Sequence, residues 1–88
     1  MKRKNITDYI EKGSMDDFKF FLNVQKKKKG LGAFVSSHEI LGVLTEEFDE
    51  LKDAVRDNDT AQLKMELLDI MIGAFWGICS IEQSTLDW

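Results

Sequence analysis

Two pairs of acids stand at helical spacing: Glu47 with Glu50, and Glu66 with Asp69. An i, i+3 separation puts both carboxylates of a pair on one helix face. The second pair lies within Leu63 to Ile81, a stretch that is otherwise almost wholly apolar. An unpaired charge among leucines and isoleucines costs several kcal/mol or shifts its pKa and neutralises. A divalent cation would offset that cost for all four acids at once, and oxygen-only ligation suits magnesium or manganese. These residues point to a metal site shared by two helices, and so to chemistry on phosphates.

The faces on which the acids fall sharpen the reading. At about 100° per residue, Ile40, Leu44, Phe48, Leu51 and Val55 share one arc of the helix that carries Glu47. Glu47 falls inside the edge of that arc and Glu50 borders it, whereas Glu46, Asp49 and Asp53 point progressively outward. On the next helix Glu66, Asp69, Gly73, Gly77 and Ser80 form one narrow stripe with Gln62 at its head. A mid-helix glycine costs about 1 kcal/mol relative to alanine, so two on one stripe need a reason. Either another backbone packs closely there, or the stripe leaves room beside the acids for a ligand. A buried salt-bridge network is the competing explanation. It lacks partners, because no Lys or Arg follows Lys64.

Four helices are expected to position these residues. A short one over Thr7 to Lys12 is stopped by Gly13, and Ser14 with Asp17 makes a capping-box-like start to a second. That second helix runs through Phe18, Phe21, Leu22 and Gln25 to Lys26–Lys29, where cations in a last turn followed by Gly30 suit a helix end. Ser36 with Glu39 makes another capping box, opening a third helix that reaches about Arg56. Asp57 to Thr60 is a tight polar connection that forces an antiparallel neighbour, and Asp59 or Thr60 caps the last helix, Ala61 to about Glu82. The expected fold is all-α, a single domain over residues 1–88.

Composition agrees. The 88 residues contain no proline, and one domain of this size is near the point where partner subunits help. The net charge of −4 hides an asymmetry: residues 1–29 hold nine Lys and Arg against four Asp and Glu. Residues 30–64 hold three against eight, and residues 65–88 none against four. A basic arm beside an acidic remainder suits a metal-chelated polyanion better than duplex nucleic acid, which asks for a broad basic face. The single Cys79 cannot form an internal disulfide and fits a reducing compartment. No secretory signal is expected after Met1-Lys-Arg-Lys, and Lys64, Glu66 and Asp69 interrupt the span-length apolar stretch. A cytoplasmic protein with no membrane segment is the expectation.

At this point the chain resembles a known family. Glu46, Glu47 and Glu50 match an EExxE motif on one helix, and Glu66 and Asp69 match an ExxD motif on the next. In order, gap and apolar setting this is similar to the MazG-like nucleoside triphosphate pyrophosphohydrolases, over roughly Phe34 to Glu82. The resemblance implies an all-α fold and Mg²⁺ (or Mn²⁺) held by Glu47, Glu50, Glu66 and Asp69. It also implies hydrolysis of a (deoxy)nucleoside triphosphate to the monophosphate and pyrophosphate, with Glu46, Glu47 and Glu50 as catalytic acids. Glu46 is the one that would orient or deprotonate water. Family members often supply basic residues after the ExxD helix, and this sequence has none between Met65 and Trp88. Phosphate-binding cations must then come from Lys26–Lys29, Lys52, Arg56, Lys64 or a neighbouring subunit.

Other residues add less. Gln25, among Phe18, Phe21 and Leu22, is a candidate to read a nucleobase edge, beside a helix-end reading. With Lys29, Lys52 and Lys64 it completes the candidate substrate contacts. Trp76 is expected in the core, and His38-Glu39 lacks the second histidine of a zinc-protease helix. Because the last helix is apolar around most of its circumference, a homodimer or homotetramer is expected to cover the surplus. The alternative function is a non-catalytic helical interaction module with a structural or vestigial metal site.

Overall fold

The computed structural model describes residues 2–88, which form three helices: α1 (Asp8–Lys29), α2 (Ser37–Arg56) and α3 (Thr60–Glu82). The all-α expectation holds. The count of four does not, because the two expected N-terminal helices are one. The chain divides into two compact units, residues up to Gly30 and Leu31–Trp88.

The first unit is α1. Thr7, in extended conformation, is its N-cap, and its Oγ1 accepts from the Ile10 amide at 3.3 Å. Ser14 caps nothing. The helix runs through Gly13, beside which an added Cβ would meet only open space. Stopping and restarting a helix strands four carbonyls and four amides, which outweighs the ~1 kcal/mol penalty of one interior glycine. The other end follows expectation. Lys26–Lys29 fill the last turn, and Gly30 at φ 83° turns its amide back to the Lys26 carbonyl at 2.9 Å.

The second unit is an antiparallel hairpin of α2 and α3. Ser36 Oγ accepts from the Glu39 amide at 3.1 Å, as the capping-box reading requires. The reciprocal bond is displaced by one residue, with Glu39 Oε1 accepting from the Val35 amide at 3.3 Å. Asn58, at φ 53°, reverses the chain. Asp59 then caps α3, its Oδ1 accepting from the Gln62 amide at 3.0 Å.

Glycine decides how the helices meet. A Cβ on Gly73 would stand 3.2 Å from Leu44 Cδ2, and one on Gly77 3.4 Å from Ile40 Cδ1. The glycine half of the α3 stripe thus admits aliphatic side chains of α2 and leaves no room there for a ligand. The inward face of α2 is also rotated from the expected arc. Phe48 and Val55, expected inside, are 51 % and 59 % exposed, while Ala54 is buried. Glu47 therefore lies nearer the centre of the inward face than the helical wheel suggests.

The open end of the hairpin is clasped. Ser80, 1 % exposed, accepts from the Phe34 amide at 3.0 Å and donates to the Trp76 carbonyl at 2.8 Å. Thr85 Oγ1 donates to the Phe34 carbonyl, and the Asp87 amide donates to the Val35 carbonyl. Trp76 reaches the same loop by donating Nε1–H to the Gly32 carbonyl. Among the described residues no helix is long and apolar enough to cross a membrane.

Candidate metal centre

Between the Asp57–Asp59 turn and the glycine contacts, three acids converge. One carboxylate oxygen from each of Glu47, Glu66 and Asp69 lies within 4.8 Å of the others. Their helices explain the meeting. The i, i+3 spacing of Glu66 and Asp69 sets both on the stripe of α3 that faces α2, and the inward rotation of α2 turns Glu47 toward them. Glu66 is 3 % exposed, and Glu47 and Asp69 are half-buried.

Burial beside like charges disfavours the ionised carboxylates. The Glu47 carboxyl is pushed up to about 7, first by burial. The adjoining Glu66 carboxyl and the charges of Asp69, Glu50 and Glu66 push the same way. Glu50 is raised as well, chiefly by the Glu66 carboxyl. Oε2 of Glu47 and Oε2 of Glu66 are buried with no hydrogen-bond donor. Ionised carboxylates are acceptors only, so neither oxygen can serve the other, and a proton or a cation is a partner that would satisfy both. Gln62 Nε2 donates to the other oxygen, Glu66 Oε1.

Orphaned buried oxygens, an all-oxygen donor set and mutual repulsion fit a hard divalent cation. The structure gathers Glu47, Glu66 and Asp69, with Glu50 exposed at the edge and electrically linked to Glu66 and Asp69. Glu46 is exposed and lies outside the converging group. Lys52 is exposed and pairs with Asp49 at 3.8 Å, and Arg56 pairs with Asp53 at 3.3 Å. Lys64 is exposed near the start of α3. Gln25 and Lys29 belong to the α1 unit, where Gln25 Oε1 is buried without a donor and Lys29 is exposed in the last turn.

Gln62 is the site residue whose contact the sequence reading missed. Its signal was present, since Gln62 and Glu66 have the i, i+4 spacing that lets an amide meet a carboxylate.

A family model described as the MazG nucleotide pyrophosphohydrolase domain matches residues 35–86. Comparison with curated proteins and with solved structures gave no match. The matched span is more than half of the chain and contains both acidic motifs together with the whole of α2 and α3. The chain belongs to the MazG nucleotide pyrophosphohydrolase family.

Proposed function

We propose that this protein hydrolyses a (deoxy)nucleoside triphosphate to the monophosphate and pyrophosphate, with Mg²⁺ or Mn²⁺ held by Glu47, Glu50, Glu66 and Asp69, and that it clears unwanted nucleotides from the pool. The observation that carries the reading is the pair of buried, donor-less oxygens on Glu47 and Glu66 inside the family's two motifs. A bound divalent ion would neutralise phosphate oxygens and lower the pKa of a coordinated water.

The chain's own groups divide the remaining work. Glu66 and Asp69 would present oxygens from one face of α3, and Glu47, raised to about 7, would join them in its ionised form. Glu50, exposed beside the three converging acids, would be the fourth ligand. Glu46, exposed beside Glu47, is the candidate for orienting the attacking water. Lys52 and Lys64 are the candidate phosphate contacts. The exposed Lys52–Asp49 pair is worth about 0–1 kcal/mol, so a phosphate can take Lys52 from it. Leu67, Met71, Phe75 and Ile78, exposed on α3, form the surface we assign to a homodimer or homotetramer.

The test is a panel of ribo- and deoxyribonucleoside triphosphates with Mg²⁺, with products separated by ion exchange. Pyrophosphate and monophosphate are expected, and Glu66→Gln should abolish both. Release of orthophosphate with the diphosphate left behind would exclude this reaction. No turnover of any triphosphate, with metal binding intact, would favour the non-catalytic module, which the lack of Lys and Arg between Met65 and Trp88 also suits.

A further inference from the structure

We propose that Gln62 is a positioning residue for the acidic centre: it holds Glu66 by one oxygen so that the other is aimed at the cation. This rests on the reading that the acids bind a divalent ion.

Gln62 is the third residue of α3, counted from the Asp59 cap. A glutamine there ordinarily turns back to bond the backbone amide of the cap residue. In this chain that amide is already satisfied, because Asp59 N–H donates to the Ala54 carbonyl at 3.0 Å. The Gln62 side chain turns forward instead and donates Nε2–H to Glu66 Oε1. Its own backbone amide is fixed to Asp59 Oδ1 at 3.0 Å, so the helix cap anchors the residue that anchors the acid.

Two consequences follow for Glu66, whose side chain is buried. With Oε1 engaged by Gln62, Oε2 is left buried without a donor, and one Glu66 carboxylate oxygen lies within 4.8 Å of oxygens of Glu47 and Asp69. The holding group also matters chemically. A carboxamide donates a hydrogen bond without bringing a positive charge that would compete with an incoming cation. Lysine at the same position would also donate, but would neutralise the ligand it orients. Outer partners of this kind commonly change metal affinity by about 10- to 100-fold when removed.

The test uses Mn²⁺ alone as the probe, titrated into the full chain and followed by the paramagnetic resonance of the free ion. Gln62→Met keeps size and helix preference but removes the donor. It should weaken Mn²⁺ binding about tenfold or more, while urea unfolding in EDTA shows an intact cooperative fold. Gln62→Lys keeps a donor and adds charge. It should also weaken Mn²⁺ binding, yet raise the EDTA unfolding midpoint by relieving repulsion. If Gln62→Met binds Mn²⁺ as the wild type does, the positioning role is overturned. If Gln62→Lys binds as tightly as the wild type, the requirement for a neutral donor is overturned. A wild-type protein that takes up no Mn²⁺ would instead remove the metal reading itself.

Discussion

In the absence of metal, this protein should lose stability as the solution becomes more alkaline, through a range in which most proteins are indifferent. Glu47 titrates near 7 in the folded chain and near 4.5 when unfolded. Between those values the folded state binds the extra proton. The stabilisation is therefore complete below about pH 4.5 and is lost as pH rises through about 7. A gap of 2.5 units at ~1.36 kcal/mol each sets a ceiling of about 3.4 kcal/mol. Because Glu47 is only half-buried, solvent screening reduces the expected loss to about 2 kcal/mol. For a domain of this size that corresponds to roughly 10 °C in melting temperature.

The assay is urea unfolding in EDTA at pH 5, 6, 7 and 8. Glu47→Gln preserves shape and removes the largest titration, so its profile should decline less than the wild type's and lie above it at pH 8. Saturating Mg²⁺ should flatten the wild-type profile from the alkaline side, since the ion replaces the proton. Metal-free wild type that is as stable at pH 8 as at pH 5 would refute the reasoning. So would a Glu47→Gln protein that keeps the full decline.

The two stripe glycines should answer the same substitution with opposite signs. Gly77→Ala meets ordinary contact distances to Ile40 and should stabilise by about 0.5–1 kcal/mol through helix propensity. Gly73→Ala brings a methyl to 3.2 Å from Leu44 Cδ2 and should be neutral to destabilising by about 1 kcal/mol, both measured by thermal unfolding. Ser80→Ala strands the Phe34 amide at a buried clasp and should cost about 1–3 kcal/mol of unfolding free energy. Asp59→Ala removes the α3 cap and should cost about 1 kcal/mol, read from the same denaturation curves.

Much of the site was legible because its grammar is local. The acid spacings, the Ser36 and Asp59 caps and the antiparallel turn are patterns of three or four residues, and the hairpin brings Glu47, Glu66 and Asp69 together with Glu50 exposed at the edge. What failed was decided elsewhere. Gly13 reads as a stop only if its penalty is weighed alone, without the eight backbone groups a break would strand. Phe48 and Val55 read as core on an ideal wheel, but the inward face of α2 is centred nearer Glu47 and Ala54 and leaves both exposed. The direction of Gln62 depended on whether Ala54 had already satisfied the Asp59 amide. The i, i+4 spacing to Glu66 allows the contact but does not show that the Asp59 amide is already taken.

The hairpin also dictates an order of events in folding. Sequence separation grows with distance from the Asn58 turn: 19 residues between Glu47 and Glu66, 29 between Leu44 and Gly73, 37 between Ile40 and Gly77, and 46 between Phe34 and Ser80. Nearer pairs close with less loss of chain entropy, so the helices zip outward from the turn. The acids therefore meet before the glycine contacts and the Ser80 clasp can reward the encounter. Repulsion at the centre then acts on the barrier to folding more than on escape from the native state. In EDTA, lowering the pH from 8 to 5 should speed refolding while leaving unfolding nearly unchanged. In a stopped-flow chevron, the folding arm should rise and the unfolding arm stay in place.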